Sequence, residues 1–336
     1  MLKKNKLFML LLMVLIMGTL VACGSNTETG SASDEESGNK ETIYLSYGAG
    51  TVGSAVNSVV LAHTKIFSDN VPNLQVSAQA SGGGVDNLKF TEDNTFQIST
   101  AANISIYQAM NGVGDFESGA LKNIRGLIPV YPSYVQIVVP SKSDIYTIED
   151  MRGKKISVGN KGSGAEVICQ SFFNGAGMSY EDFKPYYLAQ QETMDGVKDG
   201  SLDVGFFATG VPASAVMELM TTSDVRLIEI NTEEAAKITA DYPFFSPGVI
   251  PAGTYKGQDK GIPTVQGFTD AYVHKDVPDD IVYAMVKALW EHKDQLGEIH
   301  ASQKVLNPEM IETGLMPIVD LHPGAAKYYK EQGWID

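Results

Sequence analysis

Asp150 to Gly164 reads D-M-R-G-K-K-I-S-V-G-N-K-G-S-G, and the order of signals in it decides the fold. Just before it, Thr147 can cap a short helical turn, which Gly153 can end in a left-handed conformation. Residues 155–158 alternate like a strand leaving that turn. Residues 159–164 form a loop poor in side chains, and a helical run follows over 165–174. A strand, a Gly/Ser loop and a helix in that order present free backbone N–H groups and the positive end of a helix dipole. Such a place suits an anion.

The same order recurs on both sides. Upstream, residues 43–46 read as a strand, followed by Gly48-Ala49-Gly50-Thr51-Val52-Gly53 and an amphipathic helix over 54–67. A second strand, 74–78, feeds Ser81-Gly82-Gly83-Gly84 and a helix starting near Val85. A third, 96–101, precedes a helix ending near Gly112. Downstream, 183–188 is strand-like, 191–199 is helical and closed by Gly200, and strand 202–207 runs into Ala208-Thr209-Gly210-Val211-Pro212 and another helix. Residues 226–230 form a further strand. Strands alternating with helices imply parallel pairing and α/β layers.

Two segments break the rhythm. Residues 134–139 are a continuous apolar strand after a Pro-Tyr-Pro-Ser break, and 268–273 resemble it. Both read as crossings between lobes, near 131–140 and 267–275. Residues 242–267, rich in Pro, Gly and aromatics, read as crossing and loop material. A strong helix follows over 279–292, with Ile281, Val282, Met285, Ala288 and Leu289 on one face. The remainder is helical, broken by Pro308, Pro317 and Pro323. The expected organisation is a signal peptide over 1–22, a tether over 23–41, the first part of lobe 1 over 42–133, lobe 2 with its crossings over 134–266, and the return to lobe 1 over 267–336. Ligands of open α/β sheets bind beyond the carboxyl ends of strands. Four strands here, ending near 46, 78, 158 and 207, run into Gly/Ser/Thr loops. Two loops per lobe would face each other across a cleft.

The formal net charge of −15 over 336 residues makes nucleic acid a poor partner. The same field repels anions at long range, so an anion would have to be held by local donors. At the start, Lys3, Lys4 and Lys6 precede an apolar run over 7–17, and Leu20-Val21-Ala22-Cys23 matches the bacterial lipobox. The apolar run is short for a membrane span. Cys23 is then the lipidation site, where acyl chains (palmitate among them) would anchor the protein to the extracytoplasmic face of the cell membrane. Residues 24–40 have the polar composition of a disordered tether. The other cysteine, Cys169, lies among Val167, Ile168 and Phe172 and reads as a buried structural thiol.

Catalytic constellations fail one by one. Gly48 to Gly53 matches G-x-G-x-x-G, but the second strand runs out through Gln79-Ala80-Ser81 without the acidic residue that would hold a ribose. No nucleophile elbow, Walker loop or H-E-x-x-H is present. His63, His274, His292, His300 and His322 have no ligand spacing, so surface or capping roles are expected for them. The only S-x-x-K, Ser37 to Lys40, lies in the tether. Neither enzymatic activity, a cofactor nor a metal is expected.

The series G-A-G-T-V-G-S, S-G-G-G-V-D-N-L, I-Y-T-I-E-D-M-R-G-K-K-I-S-V-G-N-K-G-S-G, D-G-S-L-D-V-G-F-F-A-T-G-V-P, I-P-A-G-T-Y-K-G-Q and D-L-H-P-G-A-A-K-Y-Y-K-E-Q-G resembles the TAXI family, the TRAP-associated extracytoplasmic immunogenic proteins. The match runs over about 43–332. The resemblance implies a two-lobe, type II periplasmic-binding-protein-like α/β fold with mixed, mostly parallel sheets and an interlobe cleft. It implies a monomeric solute receptor that closes on a small organic anion or amino acid, of glutamate or dicarboxylate type. It also implies a TRAP integral membrane permease as partner. Carried over by position, the ligand-binding residues would be Gly50, Thr51, Gly53, Ser54, Ser81, Gly82, Gly83, Ser163, Gly164, Thr209, Gly210 and Val211, with Gly84, Gly162 and Pro212 beside them. The family often has a tyrosine after the first glycine loop, where this chain has Ala55-Val56-Asn57. The receptor of an ATP-driven importer, or an exported enzyme on the same fold, is the alternative.

Overall fold

The computed structural model describes residues 41–50, 55–161, 163–299 and 301–336. The signal-peptide, tether and Cys23 readings, together with Thr51, Gly53, Ser54, Gly162 and His300, lie outside the described residues.

In chain order the elements are β1 (Ile43–Gly50), α1 (Ala55–Asn70), β2 (Leu74–Ala80), α2 (Gly84–Glu92), β3 (Ile98–Ala102), α3 (Asn103–Asn111), β4 (Ile124–Pro140), β5 (Lys155–Ser157), α4 (Gly164–Ala176), β6 (Lys184–Tyr186) and α5 (Gln190–Asp199). They continue with β7 (Val204–Thr209), α6 (Ser214–Thr222), β8 (Val225–Leu227), α7 (Thr232–Asp241), β9 (Ser246–Ile250), β10 (Ile262–His274), α8 (Asp279–Glu291), α9 (Lys293–Ile299) and α10 (Pro323–Glu331). One sheet runs in the order β2-β1-β3-β10-β4-β7-β5-β6, with β8 on β4 and β9 on β10. Pairing is parallel within each half: β1 with β2 and β3, and β5 with β6 and β7. It is antiparallel wherever the two long strands β4 and β10 take part. The fold is the expected two-lobe α/β arrangement.

Four apolar clusters account for the layers. Two lie on the half built from β1–β3. One joins α1, α8, α9 and α10 to the sheet, and the other joins α2 and α3. Two lie on the other half, one under α4 and α7 and one under α5 and α6. Both faces of each half are therefore covered, as parallel strands require. Cys169 is fully buried in this core beside Phe172, as its apolar setting predicts. Burial pushes its thiol pKa well up.

The deciding stretch folds as read. Asp150 Oδ2 accepts the N–H groups of Tyr146 and Thr147, both at 2.9 Å, over a single 3-10 turn, and Gly153 follows at φ +73°. The reading of 242–267 as loop needs correction. It contains β9, and β10 already starts at Ile262. Pro247 and Pro263 broke the strand pattern, yet each sits in the two-stranded β9–β10 ladder, opposite Val265 and Val249, near the sheet margin where a missing N–H is tolerated. Helix α7 lies in a stretch without a marked apolar periodicity, although Asn231 and Glu234 form a reciprocal capping box at its start.

Candidate functional site

Strand register brings the two halves to one place. The carboxyl end of β3, Ala102, lies opposite Thr269 of β10, which pairs with Tyr131 of β4. The carboxyl end of β7, Thr209, lies opposite Tyr134 of β4. Tyr131 and Tyr134 are three positions apart, about 10 Å along a strand. The parallel strands of both halves thus point their carboxyl ends at the same short interval of the crossing. Helices α3 and α6, which follow β3 and β7, begin without a side-chain cap and without an acid in the first turn. Their first N–H groups are left to other partners.

In the first half, one buried amide holds the tips of β1, β2 and β3 together. Asn87 of α2 is fully buried. Its Nδ2 donates to the carbonyls of Gly48 (3.2 Å) and Thr100 (2.9 Å), and its Oδ1 accepts from Ser81 Oγ at 2.6 Å. Ser81 Oγ in turn accepts from the N–H of Gly50 (3.1 Å) and of Gly83 (3.3 Å). That uses its one proton and both lone pairs, so Ser81 shapes the loop and leaves the donor role to backbone amides. Gly48 is required by this packing, because a Cβ there would come within 2.5 Å of Asn87 Oδ1. Gly83 precedes α2 at φ +129° and ψ −165°, a conformation reserved for glycine. Asp86, in the first turn of α2, brings its carboxylate against Gly82, so this helix start already faces an acid of its own.

A second buried chain fixes the elements around the first loop. Thr100 Oγ1 donates to Tyr47 Oη at 2.9 Å, Tyr47 Oη meets His63 Nδ1 at 3.3 Å, and His63 Nε2 meets Gln303 Oε1 at 3.2 Å. Gln303 Nε2 donates to Val130 O at 2.6 Å. His63 is 1% exposed, and burial lowers its pKa to about 4. It is a neutral core histidine, not the surface or capping group expected. His322 does cap α10, accepting the Gly324 N–H at 3.2 Å.

In the second half, Ser163 is the N-cap of α4 and accepts the Glu166 N–H at 3.2 Å. Gly164 is the first residue of that helix. Ser163→Ala should therefore cost about 1 kcal/mol, read as a lowered urea midpoint with unchanged m. The β7–α6 loop, Thr209 to Ala213, is tied to the crossing strand from below. Ala213 N–H donates to Tyr255 Oη at 3.0 Å, Tyr255 Oη donates to Gln136 Oε1, and Gln136 Nε2 donates to Thr209 O at 3.2 Å. A cis peptide joins Val211 to Pro212 within the loop. Gln136 and Tyr255 are 1% and 3% exposed, and burial pushes the Tyr255 pKa up to about 12. Tyr255→Phe would orphan a buried amide and a buried carbonyl-type oxygen, a cost of about 2 kcal/mol. Loop binding should weaken with it, which titration of any bound ligand would register.

At the crossing, Pro132, Tyr134, Val211 and Val305 line a small hollow. On the other side Asn103 Nδ2 donates to Phe244 O at 2.6 Å, linking the start of α3 to the segment before β9. Of the expected site residues, Gly50, Ser81, Gly82 and Gly83 lie at one set of strand tips and Ser163, Gly164, Thr209, Gly210 and Val211 at the other. Sequence reasoning missed Asn87, Gln136 and Tyr255 beneath them. Among the described residues no group of three His, Cys, Asp or Glu side chains could hold a metal. No described helix is long and apolar enough to cross a membrane.

Residues 47–333 match the NMT1-like family. The chain belongs to the NMT1-like family. This NMT1-like chain shares its fold with a TctC solute binding protein from Polaromonas, at 12% identity and a TM-score of 0.56 over 87% of this chain and 98% of that one. It also shares it with a putative sulfonate ABC transporter periplasmic sulfonate-binding protein, SsuA, from Methylobacillus flagellatus. That match has 12% identity and a TM-score of 0.53 over 88% of this chain and 96% of that one.

Proposed function

We propose that this protein is an extracytoplasmic solute receptor that takes a small carboxylate between its two lobes and delivers it to a membrane permease. The observation that carries the reading is the register: the ends of β3, across β10, and of β7 are level with β4 positions about 10 Å apart, resembling the switch-point geometry where open α/β sheets bind ligands. Loop amides and hydroxyls would replace the hydration of the carboxylate, and closure about β4 and β10 would bury it. The fold it shares with proteins described as solute-binding supports the role. The resemblance to the TAXI family favours a TRAP permease as partner, and the lipobox at Cys23 favours a lipid anchor at the outer membrane face. The sulfonate-binding fold relative gives the second reading, the receptor of an ATP-driven importer. An integral TRAP subunit or an ATPase encoded next door separates the two.

A thermal-shift screen tests the receptor reading. Protein starting at residue 23, with Cys23→Ser to keep it free of lipid, is heated with amino acids, oxo acids and dicarboxylates. A ligand of the native state raises the melting temperature by mass action. No shift with any carboxylate, in protein shown by mass spectrometry to carry no copurified ligand, would sink the reading.

A further inference from the structure

Four chain segments meet at the outer end of the paired strands β4 and β10, and one imidazole joins them. β10 ends at His274, opposite Ile124 at the start of β4. Two residues on, the Gly126 N–H donates to Asp320 O at 2.9 Å, and Gly126 O accepts from the His322 N–H at 3.0 Å. Residues 320–322 are thereby laid along β4. The His322 side chain is fully buried. Its Nδ1 accepts the Gly324 N–H at 3.2 Å, so that nitrogen carries no proton. The ring proton sits on Nε2, which donates to Lys275 O at 3.3 Å in the turn between β10 and α8. The same ring thus caps α10 and ties it to that turn. The junction has no slack, because a Cβ at Gly324 would run into Asp279 O and Tyr283 N of α8. The Asp279 carboxylate lies 3.7 Å from His322 Nδ1, too far for a hydrogen bond.

Nδ1 has a single lone pair, which either the Gly324 N–H or a proton can occupy, but not both. Protonation sets two N–H groups against each other and ends the cap, and the waiting carboxylate becomes the ring's partner. We propose that His322 is an acid-sensitive clasp. Neutral, it fastens α10 to the β10–α8 turn and to the end of the paired strands. Protonated, it turns from the Gly324 N–H to Asp279 and lets the start of α10 go. The charged groups facing the ring come from two elements: Asp279 of α8 favours its protonation, and Arg125 of β4 opposes it. Burial is the largest influence and holds the ring's pKa below its usual value. The clasp is therefore complete above about pH 6.5, where a free ring is neutral. Its contribution is lost as pH falls below that value, because a released ring binds a proton more readily than a clasped one. Helix α10 also braces β4, with Tyr329 Oη donating to Leu127 O at 2.7 Å, so the device makes the outer end of the joint between the halves respond to pH. It needs no ligand and stands whether or not the protein is a receptor.

Hydrogen exchange of the same lipid-free protein decides it, read over residues 322–331 and divided by the intrinsic exchange rate at each pH. Opening that frees the ring should become about ten- to thirtyfold more frequent between about pH 7.5 and about pH 5. His322→Asn keeps an oxygen acceptor at the N-cap and cannot ionise, so its exchange there should change by less than about twofold. In the unaltered protein the nitrogen-15 shift of the His322 ring should move over the same pH interval as the exchange, a readout that does not depend on the variant folding. An equal acid response in His322→Asn would overturn the proposal. So would a ring that titrates in the unaltered protein while exchange over 322–331 stays constant.

Discussion

Replacing Asn87 by leucine is expected to cost about 3 kcal/mol of folding stability and to abolish ligand response, although Asn87 is fully buried beneath the loops. Leucine has nearly the same volume, so the loss is polar. The carbonyls of Gly48 and Thr100 would each keep a buried lone pair without its donor, and Ser81 Oγ would lose its acceptor. Each buried orphan costs about 1–3 kcal/mol. The effect on binding follows from what Ser81 does next. Its hydroxyl orients the N–H groups of Gly50 and Gly83, so a freed Ser81 lets both glycine loops relax. Urea unfolding gives the stability term, and thermal shift with the best carboxylate gives the binding term. Ser81→Ala should show the binding loss with a smaller stability loss. A stable Asn87→Leu protein with unaltered binding would show that the amide is not what holds the strand tips.

Asp270→Asn should do the opposite and stabilise the protein at neutral pH. Asp270 lies on β10 with no exposure, and its Oδ1 has no hydrogen-bond partner. Its other oxygen accepts from Tyr272 Oη at 3.4 Å. Burial drives the carboxyl pKa well above the usual range, with the Tyr272 bond opposing only in part. The sign follows directly. Below about pH 4 the group is protonated in folded and unfolded chains alike and costs nothing in ionisation. As pH rises toward the folded-state pKa, the unfolded chain releases the proton and the folded chain keeps it. Stability then falls by up to about 1.4 kcal/mol per pH unit. Asparagine cannot ionise, so the gain in melting temperature should be small at pH 4 and grow toward pH 7. An equal difference at both pH values would show that ionisation of Asp270 is not its source.

What the sequence made legible is what is local. The strand, glycine loop and helix units around residues 50, 82, 164 and 210 each announce themselves within some twenty residues, and β5 and α4 fold much as the periodicity of 155–174 predicts. The pairs that give those loops their shape are distant in the chain. Tyr255 meets Gln136 across 119 residues, and His63 meets Gln303 across 240. No spacing rule links such positions, and a lone Gln in an apolar strand carries no mark of its partner. Ser81 and Ser163 illustrate the converse. As residue types they suggest ligand donors, but the bonds of Ser81 go to loop amides and Asn87, and Ser163 accepts from the start of α4. The ladder between β9 and β10 was hidden because prolines normally end strands, and only the position at the sheet margin makes them acceptable.

The pairing of β4 with β10 has a mechanical consequence. The two links between the halves are hydrogen-bonded to each other from Ile124–His274 to Tyr134–Gln266, so they form a ribbon and not two separate cords. A paired ribbon resists stretching and sliding, since either would break the ladder, but it yields to added twist. The register irregularities at Thr269/Asp270 and Ala271/Tyr272 are the compliant points along it. The joint therefore behaves as a torsion spring. Twist about its own length is the deformation such a ribbon allows most easily, because it leaves every rung of the ladder in place.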